Sequence, residues 1–207
     1  MFEEVKVLTH SSIKIAGKKI IYFDPFEVQE ESHDADLVFV THEHHDHYSL
    51  EDIGKVANPD TWIIMPESMR GYEEKMGNLK CRFVCPGGMT EAVGIMINAV
   101  PAYNRLKPFH TRGKGYVGYI VTMDNVRYYV AGDTDMTPEN QDIKCDVALI
   151  PVGGKYTMDS KEAAKLVNRM KPNLAIPTHY GTVVGSCEDG KRFAELVDSR
   201  IEVRVMI

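Results

Sequence analysis

The chain has 207 residues, 43% hydrophobic and 26% charged. These proportions suit one globular domain over residues 1–207 and exclude a disordered or fibrous chain. Its net charge of −6 argues against a protein that coats nucleic acid, because phosphate binding needs clustered lysine and arginine. No apolar run reaches the length of a membrane span or of a signal-peptide core, so no membrane partner is expected and a cytoplasmic location is.

The first forty residues read as strands. "VKVLTHSSIKIAG" and "KKIIYFDPF" are β-rich, with a turn at Ala16-Gly17-Lys18, and "DLVFV" (36–40) is a short apolar run of the kind buried on both faces. "SLEDIGKVAN" follows as a helix, with Ser49 as cap and Glu51 and Asp52 in its first turn. "TWIIMP" predicts a strand, "ESMRGYEEKMG" a short helix and "EAVGIMINAVPAY" strand-like segments. "YVGYIVTM" and "VRYYVAGD" flank Asp124-Asn125, a hairpin turn. "DVALIPV" is a buried strand. In "DSKEAAKLVNRMKP", Ala163, Leu166, Val167 and Met170 fall at i, i+3, i+4 and i+7, and Pro172 stops the helix. "NLAIPTHYG" is a strand and loop, "EDGKRFAELVDSR" a helix and "IEVRVMI" a closing strand. Helices inserted between strands imply partly parallel pairing and an α/β fold. Cys81, Cys85, Cys145 and Cys187 form no CxxC pair and read as free thiols of a reducing compartment.

"VTHEHHDHYS" (40–49) holds four of the eight histidines. It lies on a loop between a buried strand and a capped helix. His42 and His44 alternate and so share a direction. Asp46 and His47 begin the next turn and can address a neighbouring point. Imidazole and carboxylate are good ligands for zinc, and also for manganese or iron. The spacing therefore offers two donors to each of two ions.

"THEHHDH" resembles the H-x-H-x-D-H signature of the metallo-β-lactamase fold hydrolases. "VAGDTD", "IPTHYG" and the opening "HSSIKI…DPF" resemble later and earlier segments of that family in order, over essentially the whole chain. The likeness is nearest to a small bacterial branch of uncharacterised hydrolases and lactonase-like proteins. It implies a four-layer αββα sandwich with a dinuclear site at one edge of two sheets, loaded with two divalent metal ions, zinc first. The first ion would take His42, His44 and a mid-chain histidine, the second Asp46, His47 and His179, and Asp133 would bridge them. The mid-chain histidine is expected near Asn104, where this chain has asparagine. His110, six residues on, is expected to serve. Asn104, Tyr156 and Thr157 are expected at the substrate pocket.

The implied activity is hydrolysis of a small ester, lactone or phosphodiester by a metal-bridged hydroxide, with Asp46 also accepting the proton of the water. The partner is a small molecule, and an anionic one if Lys107, Arg112 and Lys114 face it; these three equally suit a solvated loop. Asp24 reads as a partner that orients a metal histidine or as a plain Asp-Pro turn. His10 reads as a pocket residue or a hydrogen-bonded core histidine, and His45 as solvent-facing. The competing functions are a non-catalytic metal-binding protein on the same fold and a nuclease. No G-x-S-x-G, P-loop or Rossmann glycine run supports other chemistries.

Overall fold

The computed structural model describes residues 4–207. Its first half forms a six-stranded sheet whose strands lie side by side in chain order: β1 (Glu4–Thr9), β2 (Ser12–Ala16), β3 (Ile20–Phe23), β4 (Ala35–Phe39), β5 (Ala57–Pro66) and β6 (Lys80–Val84). The second half forms a seven-stranded sheet from β7 (Met89–Ala92), β8 (Ile95–Pro101), β9 (Val117–Met123), β10 (Val126–Val130), β11 (Val147–Pro151), β12 (Leu174–Thr178) and β13 (Glu202–Val203), also in sequential order. Each sheet begins as an antiparallel meander and continues with parallel strands. The change falls at the β3–β4 pair in the first sheet and at β10–β11 in the second. Parallel pairs need crossovers. Three of these carry helices, α1 (Leu50–Val56) before β5, α2 (Ser160–Met170) before β12 and α3 (Cys187–Leu196) before β13.

Period-two alternation stacks the sheets. Ile13, Ile15, Ile21, Phe23, Leu37 and Phe39 of the first sheet meet Val117, Tyr119, Tyr128, Val130, Leu149 and Ile176 of the second in one buried core. The opposite face of the first sheet, through Val38 and Ile63, packs on Ile53 and Val56 of α1. The opposite face of the second packs Ala148, Ile150 and Ala175 on Ala163, Leu166, Val167 and Met170 of α2 and Phe193 of α3. The order is therefore helix, sheet, sheet, helix, as the expected αββα sandwich requires. Burying each of Leu166, Val167 and Met170 is worth about 1.5–3 kcal/mol, and a charged residue at Leu166 would break that layer. Ser49 caps α1 by accepting from Asp52 N, and Asp159 caps α2 by accepting from Glu162 N.

Two local expectations change, and one strand appears where none was expected. Segment 67–77 is not a helix but two 3₁₀ turns, Glu67–Met69 and Tyr72–Lys75, separated by Gly71 at φ 102°. "KCRFV" is a strand, parallel to β5 at the sheet edge; its alternation is blurred because both faces are only half covered. Of "IEVRVMI", only Glu202 and Val203 pair. Among the described residues no helix is long and apolar enough to cross a membrane.

Candidate metal centre

Chemistry-bearing side chains gather beyond the C-terminal ends of strands from both sheets. His10 follows β1, Asp24 follows β3, His42 to His47 follow β4, His110 lies beyond β8, Asp133 follows β10 and His179 follows β12. Strand ends leave backbone groups and side chains free of the ladder, so an edge where many strands stop can converge donors on one point. In the loop after β4, the backbone N–H groups of His47 and Tyr48 donate to His44 O. That turn directs Asp46 and His47 beside the His42–His44 pair.

The donors form two sets around Asp133. On one side, His42 Nε2 and His110 Nε2 each lie 3.1 Å from His44 Nδ1, and Asp133 Oδ2 lies 3.3 Å from His110 Nε2 and 4.0 Å from His42 Nε2. On the other, Asp133 Oδ1 lies 3.1 Å from His179 Nε2 and 3.3 Å from His47 Nε2, and Asp46 Oδ2 lies 3.6 Å from both of these nitrogens. An ion about 2.0–2.2 Å from each donor would space tetrahedral donors roughly 3.3–3.6 Å apart. Both sets are close to that spacing. Buried polar atoms normally find partners, yet Asp133 Oδ1, His47 Nε2 and both nitrogens of His179 are buried without a hydrogen bond. Neutral nitrogens and carboxylate oxygens that converge unpartnered fit divalent cations.

The electrostatics agree. Asp133 is buried, which by itself would raise its carboxyl, but the imidazoles of His179 and His47 hold it well below the carboxylate range. Burial likewise works against charge on His47, and Asp133 and Asp24 override it to hold that imidazole well above its ordinary value. His42 goes the other way, pushed well down by burial and by the neighbouring His47. Asp46 is held well below its usual range, against burial, by His10 and His179. Positive charge is thus favoured on the Asp46–His47–His179 side, and where no metal supplies it protons must.

A single buried carboxylate orients ligands of both sets. Asp24 accepts from Thr41 N at 2.8 Å and from Thr41 Oγ1 at 2.7 Å, and lies 2.7 Å from His47 Nδ1. A carboxylate can only accept here, so Nδ1 carries the proton and Nε2 of His47 keeps its lone pair for the site. The Thr41 hydroxyl gives its proton to Asp24, so it accepts from His42 Nδ1 at 2.9 Å and leaves His42 Nε2 free in the same way. Of the two readings of Asp24, the orienting one describes this geometry.

His110 reaches the first set because its loop is braced. Asn104 Nδ2 donates to Phe109 O at 2.9 Å and to Tyr156 O at 2.7 Å, while Asn104 N donates to His110 O at 2.8 Å. Asn104 was expected at the pocket. It is buried behind it, because its amide is spent on tying two loops together. Thr157 is displaced for the same reason, being fully buried with its carbonyl accepting from Lys107 Nζ. Lys107 also pairs with buried Asp135 and so is not free for an anion. Arg112 pairs with Glu139 at 2.7 Å.

The cavity over the donors has a volume of about 290 Å³. The donors Asp46, His44, His110, Asp133 and His179 line it together with apolar Phe109, Tyr156, Val183 and Val184, and with Lys155 and His45. Tyr156 lines this cavity, and His45 is exposed. Lys155 was not singled out; its place beside Tyr156 in a Gly-Gly loop was the available signal. His10, one of two alternatives from sequence, lies fully buried in the site, with Nε2 3.4 Å from Asp46 Oδ2.

Two facing mixed sheets, helices outside and histidine–aspartate donors at one edge define the metallo-β-lactamase fold. Residues 4–179 match the family model of the beta-lactamase superfamily domain. The chain is 34% identical to a UPF0173 metal-dependent hydrolase of Pyrococcus horikoshii, over 98% of this chain and 96% of that protein. It is 35% identical to one of Thermococcus kodakarensis over the same shares. Among solved structures, a protein of Parabacteroides distasonis designated a metal-dependent hydrolase superposes with a TM-score of 0.80 at 33% identity, covering 97% of this chain and 91% of that one. A metallo hydrolase of Ignicoccus hospitalis gives 0.80 at 27% identity, covering 98% and 94%. The chain belongs to the beta-lactamase superfamily and, within it, to the UPF0173 metal-dependent hydrolases.

Proposed function

We propose that the protein is a dinuclear hydrolase that cleaves a small ester, lactone or phosphodiester, with zinc as its first ion and manganese or iron as ions the same donors accept. The observation that carries this reading is the position of Asp133, whose two carboxylate oxygens face two separate donor sets. His42, His44 and His110 would hold one ion, Asp46, His47 and His179 the other, and Asp133 both. When bound, two divalent ions supply Lewis acidity, lowering the pKa of a water and polarising the electrophile.

The chain's own residues do the rest. Asp46 lines the cavity and would take the proton of the attacking water. Phe109, Tyr156, Val183 and Val184 would pack on the unreactive part of the substrate and thin out water around it. Two carboxylates against two divalent ions leave a positive centre, and Lys155 adds a cation at the wall, so an anionic substrate or leaving oxygen is favoured. The shared core between the two halves supports reading the chain as one domain, and its unpaired cysteines support a reducing, cytoplasmic setting.

The test is elemental analysis of tag-free protein, wild type beside His110→Ala, with parallel assays on a lactone and a bis-aryl phosphodiester. Near two ions in the wild type, fewer in the variant and turnover of either substrate are expected. One ion or none in the wild type would sink the dinuclear reading, and two ions without turnover of any ester would point to a binding protein.

A further inference from the structure

The dinuclear reading uses seven donors and leaves one buried histidine of the same cluster without a task. We propose that His10 is an additional donor to the second ion, acting through Nε2 beside Asp46 and His179, so that this ion is held by five protein donors and the first by four. The inference rests on the dinuclear reading above and goes beyond its ligand set.

His10 is fully buried, and its Nε2 has no hydrogen-bond partner. That nitrogen lies 3.4 Å from Asp46 Oδ2, nearly the 3.6 Å that separates His179 Nε2 from the same oxygen. The His10 and His179 rings are 4.0 Å apart, centroid to centroid. The donor atoms of His10, Asp46 and His179 all lie within 4.8 Å of one another. A histidine that merely fills a core satisfies its ring nitrogens. Here only Nδ1 is engaged, 3.1 Å from Thr182 Oγ1. With the hydroxyl accepting, Nδ1 holds the proton and Nε2 presents a lone pair to the site, the arrangement usual for a metal-bound imidazole.

The backbone is bent to achieve this. His10 sits at φ 46°, in the left-handed region, where the β1–β2 pairing slips in register beside Thr9. Such conformations are disfavoured for a residue with a Cβ and persist where surrounding structure enforces them. The enforcing contact is His179 N donating to His10 O at 2.9 Å. His179 is itself left-handed at φ 58°. The hairpin of the first sheet is thereby stitched to the end of β12 in the second, which sets the two imidazoles on one carboxylate oxygen.

Three imidazoles and two carboxylates suit an ion that accepts five or six ligands, as manganese and iron(II) do, better than a tetrahedral one.

The test uses metal-free, tag-free protein titrated with Zn²⁺ and with Co²⁺ against a competing chelator, comparing wild type with His10→Phe, which keeps ring volume and removes the donor. The expected result is an unchanged first equivalent, a second equivalent weakened at least tenfold, and a more intense cobalt visible spectrum for that second equivalent, as befits fewer donors. Unchanged second affinity and spectrum would overturn the proposal while leaving the dinuclear reading intact. A wild type that binds only one ion would overturn both. If His10→Phe does not fold, the imidazole ¹⁵N resonances of the wild type decide. An unprotonated His10 Nε2 that moves with the second equivalent of Zn²⁺ supports the assignment, and an Nε2–H retained in the loaded protein overturns it.

Discussion

Replacing Asp24 with asparagine changes one oxygen into an NH₂ group, and the surrounding donors dictate the outcome. Thr41 N, held at 2.8 Å, keeps the remaining oxygen in the Oδ1 position. The new amide then occupies the Oδ2 position, 2.7 Å from His47 Nδ1. Two N–H groups cannot face each other at that distance, so His47 must move its proton to Nε2. That proton points at Asp133 Oδ1, 3.3 Å away, where a lone pair is needed for the second ion. The Thr41 hydroxyl has two lone pairs and still accepts from His42 Nδ1, so the first set keeps its tautomer. Loss of such an orienting partner typically weakens metal binding about 10- to 100-fold, or about 1.4–2.7 kcal/mol. Asp24→Asn should therefore lower the affinity of the second ion by that factor and that of the first by much less, read by chelator competition with elemental analysis at each step. Asp24→Ala, which leaves buried Thr41 N and His47 Nδ1 without acceptors, should also destabilise the metal-free protein by about 1–3 kcal/mol. Equal loss at both ions in Asp24→Asn, or none at either, would refute the tautomer argument.

Gly153 packs against the backbone that carries His179; an added Cβ would lie 2.2 Å from His179 O and 2.9 Å from Val184 Cγ2. Gly153→Ala should cost about 1–3 kcal/mol as overpacking and release the second ion preferentially, measured by denaturant unfolding and metal content. Asn104→Ala removes the two bonds to Phe109 O and Tyr156 O. It should cost about 1–3 kcal/mol and weaken the first ion through His110, while a loss confined to the second ion would contradict the bracing role. Stripping the ions with a chelator should lower the melting temperature. An ion present at a hundred times its dissociation constant adds about 2.7 kcal/mol, or roughly 5–11 °C for a chain of this size. A calorimetric scan with no shift would mean that the ions do not bind the folded chain selectively.

The parts of the site written in one short segment were readable from spacing. His42, His44, Asp46 and His47 lie within six residues, and strand alternation followed by a turn is enough to group them. Asp133 and His179 were expected only through the resemblance of "VAGDTD" and "IPTHYG" to family segments, and the fold brings both beside the histidine-rich loop. The parts that depend on long-range approach were not readable. Asn104 resembles a pocket residue because it follows β8, but its amide is claimed by carbonyls of residues 109 and 156. Lys107 reads as a free cation until the fold sets it against Asp135, 28 residues away. His10 lies 169 residues before His179, and nothing local reports that the β1–β2 hairpin meets the end of β12. Strand β6 was hidden by its position at an edge, where half-covered faces erase the alternation that marks a buried strand.

The donors also span the two sheets. His10, His42, His44, Asp46 and His47 come from the first sheet, and His110, Asp133 and His179 from the second. Between the sheets, apolar packing holds them together at every other level. At this edge the facing groups are instead unpartnered nitrogens and two carboxylates, which neighbouring imidazoles hold well below the usual carboxylate range. On the proposed dinuclear reading, an ion on either side of Asp133 would tie the two sheets together, because each set takes donors from both. Loading the centre should therefore stabilise the folded sandwich as well as ready a water for attack.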